Sequence, residues 1–364
     1  MIKEEYEWLI VGSGFYGAIC ADYLRRCGKS VAVVEKRDHI GGNCYTKKLD
    51  GIDLHTYGAH IFHTNNPDVW DWINQYAEFN SYRHAVTASY QGRVYSLPFS
   101  MYTFQQIYGA TTPDEAKAAI KENGYGSYED PRNLEEAAIQ AVGKPVYEIL
   151  IKGYTEKQWM KPATELPASI VRRLPVRYTY DNNYYNDRYQ GIPIGGYTQI
   201  FEKLLEGIPV IVNTDFFLDE IPRWKNLIYT GPIDRFFGYS HGSLEYKIVH
   251  LDHKWQEKDN VQGCAVMNYT DIEVPYTRKI EHKHFVGGGG NGSWVSTEYS
   301  VPYDPDKTDP YYPVNDARNN AIYEKYKEMA NALPNVHFGG RLGQYRYFDM
   351  HQVIEEALNF CKKI

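Results

Sequence analysis

Two hydrophobic periodicities alternate along the start of the chain. Trp8–Gly12 is a short continuous apolar run, Tyr16–Cys27 repeats its apolar positions at helical spacing up to Gly28, and Val31–Glu35 is again a short apolar run. Strand, helix and strand in that order predict a βαβ unit on a parallel sheet. Asn66-Pro67 opens a helix with proline at its first position. From about Ser81 to about Leu166 strand character is weak: Thr112-Pro113-Asp114-Glu115 is a capping box, and Leu134–Ala141 and Pro145–Gly153 read as helices. Ser169–Arg188, broken by Leu174-Pro175, reads as strand or loop. Thr198–Leu205 returns to helix, followed by short strands at Val210–Val212 and Asn226–Gly231. Residues 245–300 alternate and are rich in β-branched and aromatic types, which predicts antiparallel sheet, with Gly287–Gly290 as a flexible tip. A Pro/Asp/Tyr loop (Val301–Pro313), a helix (Asp316–Ala332), a strand (Val336–Phe338) and a last helix (Met350–Cys361) complete the pattern.

The first strand runs into Gly12-Ser13-Gly14-Phe15-Tyr16-Gly17. In a GxGxxG turn the first glycine makes the bend, the second admits a phosphate, and the third lets helix and strand pack closely. Glu35, at the end of the second strand, stands where an acid binds a ribose hydroxyl. An ordinary glycine turn is the alternative. A second glycine turn, Gly41-Gly42-Asn43, favours the longer FAD over NAD. Tyr57–Thr64 then reads as a glycine-hinged loop carrying His60 and His63 toward the flavin end; both could equally be plain hydrogen-bond partners. Along Pro145–Trp159, Tyr147, Leu150, Ile151, Tyr154 and Gln158 share one helical face, either as core or as a lead-in to a stacking platform of Tyr154, Thr155 and Trp159.

The expected fold is α/β: a Rossmann-like FAD-binding domain (1–80, 191–240 and 318–364), an inserted helical domain (81–168), and an antiparallel β-sheet substrate domain (169–190 and 241–317). At 364 residues, 43% hydrophobic and 23% charged, the chain suits a globular protein of two or three sub-domains. The acidic N-terminus does not read as a signal peptide, no run is long enough to span a membrane, and five cysteines without metal-like spacing suggest a reducing cytoplasm. Cys20 and Cys27 read as small core fillers on the first helix. A net charge of −7 argues against bulk nucleic-acid binding, so an anionic ligand needs a local arginine cluster. Arg172, Arg173, Arg177 and Arg188, interleaved with Tyr178, Tyr180, Tyr184 and Tyr185, offer one, and the 34 tyrosines suit sugars and bases.

The segments GSGFYG, HIGGN, YGAHIFHTN, GYTEKQW, ELPAS, YTGPID, TRKIEHKHF, YYPV and GRLGQYRYFDM together resemble the bacterial UDP-galactopyranose mutases over essentially the whole chain. The resemblance implies an isomerase that interconverts UDP-galactopyranose and UDP-galactofuranose without net redox, for cell-surface glycan precursors. It implies reduced FAD whose N5 becomes covalently linked to the sugar, no metal, a UDP-sugar substrate, an external reductant such as NAD(P)H or a reduced flavin donor, and a cytoplasmic homodimer.

Residue by residue, Arg173 and Arg278 match the family's diphosphate arginines, and Tyr184, Tyr312 and Tyr347 its diphosphate tyrosines. Tyr154, Thr155, Trp159 and Asn268 match uridine or ribose contacts, and Asp349 an acid near substrate and flavin. Arg341 matches a flavin arginine; Gly12, Gly14, Phe15, Gly17, Glu35 and Lys36, then Gly42, Asn43, His60, Ile61, Gly231 and Met350, complete the cofactor set. The last helix is expected to turn its positive end toward the flavin, and the Arg173 loop to act as a lid. Arg172 and Arg177 fit surface salt bridges better. Two departures stand out. Leu150 and Ile151 replace an aromatic pair, and His84 stands near an asparagine of some relatives, so that contact is not carried over. A flavin oxidase or dehydrogenase, a mutase accepting UDP-N-acetylgalactosamine, and a non-catalytic UDP-sugar binder are the other readings.

Overall fold

The computed structural model describes residues 3–364 apart from 125, 174 and 306, with the backbone alone at Arg172 and Arg173. The N-terminal pattern folds as a parallel sheet whose order is Val336–Phe338, Arg223–Tyr229, Glu5–Val11, Val31–Val34 and Val210–Ile211. Glycine chemistry fixes the first turn. Gly12 has φ +98°, and a Cβ there would lie 2.1 Å from Thr230 Oγ1; a Cβ on Gly17 would lie 2.0 Å from the Gly12 oxygen. The helix Phe15–Arg26 therefore lies close against its strand, and on its other side meets the last helix, Met350–Cys361. Ile10, Ile19, Val33, Phe201 and Ile354 fill this core. Cys20 is part of it, 3.8 Å from Cys361 with both thiols free, whereas Cys27 is exposed at the helix end rather than buried.

The second sheet has seven strands, ordered Tyr312–Pro313, Tyr246–Gln256, Ser293–Val301, Arg278–Glu281, Val266–Tyr269, Val86–Tyr90 and Arg93–Leu97. Its pairings are antiparallel except that Val266–Tyr269 runs parallel to Val86–Tyr90. This corrects the reading of 81–168 as helical: residues 86–97 are a hairpin of this sheet. Its turn, Gln91-Gly92, has φ +47° and +76°, and the alternation of Val86 and Ala88 inward with Thr87 and Ser89 between them is a strand pattern diluted by small polar residues. The rest of the block is helical and packs on the sheet through Phe104, Ile120, Leu134 and Leu150.

Ser169–Arg188 forms a 3₁₀ turn, Ala168–Arg173, and irregular backbone; the strand that follows, Tyr189–Gly191, pairs with Phe62–Thr64. The Gly287–Gly290 tip is not free: a Cβ on Gly288 would lie 2.3 Å from the Gly51 oxygen, so it packs on the hairpin Thr46–Leu49/Ile52–His55.

Buried imidazoles stitch that hairpin to the large sheet. The His55 N–H donates to His282 Nδ1 (3.2 Å), so His282 carries its proton on Nε2 and donates to Ser296 Oγ (2.6 Å). Ser296 in turn donates to His253 Nδ1 (2.6 Å), and His253 Nε2–H to the Thr56 carbonyl (3.1 Å). Each ring is thereby held neutral. Burial, then the His253 charge, pulls His282 down to about 3, and burial, then Arg278 and His63, does the same to His84. Below about pH 6.5 the unfolded chain takes up protons that these folded rings refuse, so stability falls as pH falls, by about 1.4 kcal/mol per unit for each such ring. A melting temperature that declines from pH 7 to pH 4, with a shallower decline in His282→Gln, is the expected result.

Candidate functional site

The two glycine turns meet at the end of the parallel sheet. Gly41 N–H donates to the Ser13 carbonyl (3.1 Å), and a Cβ on Gly42 would stand 3.2 Å from the Gly14 Cα. A cleft walled by bare backbone, with the open amides of Phe15–Arg26 beside it, suits a pyrophosphate. At its far end the buried Glu35 carboxylate accepts from Ser13 N (2.9 Å), Ser13 Oγ (2.6 Å) and Arg37 N (3.0 Å), which fixes its orientation. This donor set fits the dinucleotide half of FAD. Asn43 lies on the 3₁₀ turn Gly42–Cys44, and Ile61 is buried behind the histidine loop. A Cβ on Gly231 would strike the Tyr229 hydroxyl at 2.5 Å. Lys36 is an exposed side chain that pairs with Asp309 (3.3 Å).

The flavin end differs from expectation in two ways. The positive end of the last helix, at Met350, is already capped by the Asp349 carboxylate in a capping box with Gln352, which offsets the dipole. Arg341 acts as a clamp: it donates to the Phe348 (2.6 Å) and Tyr311 (3.2 Å) carbonyls, and its guanidinium lies 4.7 Å from the Tyr312 ring, which stacks on Tyr347. His60 Nδ1 bonds to the Gly58 carbonyl (2.7 Å), and burial lowers its pKa to about 4, leaving a neutral ring with Nε2 as acceptor. His63 Nδ1 bonds to Asp187 (2.5 Å), and the ring stacks on Tyr185 at 3.8 Å. Ligand atoms of His63, Asp349 and His351 lie within 4.8 Å of one another, a grouping that spacing along the chain could not reveal.

The other wall is one long helix with a change of pitch. Lys144–Val146 is α-helical, Tyr147–Lys152 is a π-helical turn, and Gly153–Trp159 returns to α. Tyr147, Leu150 and Ile151 are buried in the core, so the shared face begins as packing; beyond it come Tyr154, Thr155 and Trp159. Lys247 was missed in the sequence: its Nζ lies 2.9 Å from the centre of the Trp159 ring, and it pairs in register with Tyr312. Only the fold brings it there. Asn268 Oδ1 is buried without a hydrogen-bond partner, an acceptor of the kind a base or ribose would satisfy.

Arg278 is the central cation among the described residues of this wall. Its Nε donates to Glu298 (2.5 Å), and the other oxygen of that buried carboxylate accepts from Thr277 Oγ1 (3.0 Å). Burial opposes the Arg278 charge, but Glu298 leads the groups that favour it, and the guanidinium stays protonated. Burial pushes the Tyr154 and Tyr184 hydroxyls up, with Arg278 acting against it in both, while Asp349 reinforces it at Tyr184. Burial, then Tyr312 and Asp349, push up Tyr347. These mutual fields place Arg278, Tyr154, Tyr184, Tyr312, Tyr347 and Asp349 in one cluster. Arg177 makes the expected salt bridge, to the exposed Asp181 (3.8 Å), but its own side chain is mostly buried and also donates to the Asn183 and Tyr184 carbonyls and the Asn186 side chain, shaping the turn that presents Tyr184. The side chains of Arg172 and Arg173 lie outside the described residues.

Residues 149–347 match the family model described as UDP-galactopyranose mutase, and residues 10–76 that of an NAD(P)-binding Rossmann-like domain. The chain is 43% identical to a Klebsiella pneumoniae protein named "Probable UDP-galactopyranose mutase", covering 96% of this chain and 92% of that one. The chain belongs to the UDP-galactopyranose mutase family. It is also 40% identical to the Escherichia coli dTDP-fucopyranose mutase, over 96% of each chain. A crystal structure of reduced UDP-galactopyranose mutase superposes with a TM-score of 0.76 over 100% of this chain and 94% of that one, at 16% identity, which speaks for the fold. As a member of the family the protein is an isomerase built on a flavoprotein scaffold. Among the described residues no helix is long and apolar enough to cross a membrane.

Proposed function

We propose that the enzyme interconverts UDP-galactopyranose and UDP-galactofuranose on reduced FAD. The observation that carries this reading is Arg278: its Nε is tied to buried Glu298, its terminal nitrogens donate to none of the described residues, and tyrosine hydroxyls surround it. Such a forked cation suits a diphosphate leaving group. In this reading Trp159, Tyr154, Thr155 and Asn268 hold the uridine, Arg278 and Arg173 take the growing charge on the diphosphate, and Tyr184, Tyr312 and Tyr347 donate to its oxygens. When bound and reduced, the flavin would supply a nucleophilic nitrogen for the sugar's anomeric carbon. His60 and His63, each with Nδ1 engaged, offer Nε2 to sugar hydroxyls, and Asp349 stands beside His63. The protein works as a homodimer and takes electrons from NAD(P)H or a reduced flavin donor.

The deciding assay incubates dithionite-reduced enzyme with UDP-galactofuranose. UDP-galactopyranose should form without consumption of reductant; steady hydrogen peroxide or NAD(P)H turnover would favour an oxidase or dehydrogenase. UDP is expected to bind the reduced enzyme more tightly than the oxidised one, and titrations that give one affinity for both would count against the scheme. A second reading, a dTDP-sugar mutase, draws on the Escherichia coli relative. Running dTDP-fucose and UDP-N-acetylgalactosamine beside UDP-galactose separates the three.

A further inference from the structure

The helix Gly153–Trp159 touches the connection 270–277 at two points one turn apart. At Gly153 a Cβ would lie 2.3 Å from the Thr270 oxygen, so the helix backbone rests directly on that connection. Lys157 is on the same face. Its Nζ lies 2.7 Å from the Tyr269 carbonyl oxygen, 2.8 Å from Asp271, 3.0 Å from Val274 and 2.9 Å from Tyr276. An ammonium has only three protons to donate, so four carbonyls converging at similar distances form a cage for a charge rather than a set of separate directed bonds. The same arrangement of carbonyl dipoles receives dehydrated monovalent cations elsewhere. Burial pulls the Lys157 pKa down to about 8, with the Asp271 charge acting the other way, so the cage holds a charge at neutral pH.

The caged connection joins the strand Val266–Tyr269 to the strand Arg278–Glu281. Asn268 immediately precedes its first carbonyl, and Arg278 follows shortly after its last. Tyr154, Thr155 and Trp159 lie on the helix that delivers the ammonium. The caged charge therefore lies between the residues assigned to the base and those assigned to the diphosphate.

We propose that Lys157 is a positioning residue whose caged ammonium keeps the base-binding helix in register with the Arg278 strand, so that both ends of one nucleoside diphosphate are met at once. This rests on the nucleotide reading given above. The test uses flavin-loaded Lys157→Ala beside wild type in ammonium, potassium and choline chlorides, each at about 0.1 M. In choline the variant should bind UDP roughly tenfold or more weakly, with KM raised to match and kcat within about threefold. Ammonium or potassium, small enough for the vacated cage, should recover at least about fivefold of that loss, while wild type ignores the cation. UDP affinity equal to wild type in choline, or a loss identical in all three salts, overturns the proposal. Should the variant fail to fold in choline, melting decides: a rise in ammonium or potassium supports the cage, and the same melting in every salt overturns it. Wild type that binds no UDP at all would overturn the nucleotide reading and this proposal with it. Wild type that binds UDP beside an unimpaired variant would overturn this proposal alone.

Discussion

Arg278→Ala should lose roughly a thousandfold or more in kcat while retaining flavin, because a guanidinium that gains strength as charge leaves the sugar acts mainly in the transition state. The structure adds a second, separable effect. Glu298 is 3% exposed and its charge is met by Arg278, so the alanine variant strands a buried carboxylate, at a cost of about 3–5 kcal/mol in stability. A low activity alone would therefore be ambiguous. The double variant Arg278→Ala/Glu298→Gln removes the stranded charge and leaves an amide that still accepts from Thr277. Its melting temperature should recover most of the loss while turnover stays at the level of the single variant. Recovery of turnover along with stability would show that Arg278 serves the fold and not the reaction.

Gly14→Val should give a folded protein without colour. An ideal Cβ on Gly14 has no neighbour nearer than the Gly42 Cα at 4.0 Å, and its φ is −70°, so the chain itself tolerates a side chain there. What the added methyls fill is the cleft between the two glycine turns. The expected result is near-wild-type melting of the flavin-free protein, loss of flavin absorbance on purification, and FAD affinity reduced by roughly a hundredfold or more, from several unmade amide–phosphate contacts. Gly12→Ala is the contrasting control. With φ at +98° and a Cβ 2.1 Å from Thr230 Oγ1, it should destabilise the fold before any cofactor arrives. A yellow Gly14→Val protein would remove the cleft from the cofactor site.

The parallel sheet was legible because its strands are short apolar runs bounded by glycines, and the cleft was legible because Gly12, Gly14 and Gly17 each answer a different steric demand. The hairpin 86–97 was not: Thr87, Ser89 and Ser96 carry strand backbone with little hydrophobic signal, and its place in the sheet depends on a parallel partner at Val266–Tyr269. The same limit hid Lys247 from view, since only the register with Tyr312 and the reach to Trp159 make it part of the wall. Arg177 makes the ion pair expected of it, with Asp181, but an arginine beside tyrosines in an irregular stretch gives no sign that it also folds back on carbonyls. The family resemblance supplied Arg278 and the tyrosines around it; spacing along the chain pointed to the arginines of 172–188 and to neither Arg278 nor its buried carboxylate.

Both sheets are assembled from distant parts of the chain. The strand beside Arg223–Tyr229 comes from Val336–Phe338, and the helix against Cys20 from Met350–Cys361. Residues 86–97 find their neighbour at Val266–Tyr269. A ribosome must therefore release most of the polypeptide before either layer can close, and the early segments wait as unpaired edges that invite chaperones. Shortening the C-terminal helix should thus show up first as aggregation during synthesis, with the soluble remainder still carrying every residue that touches the sugar.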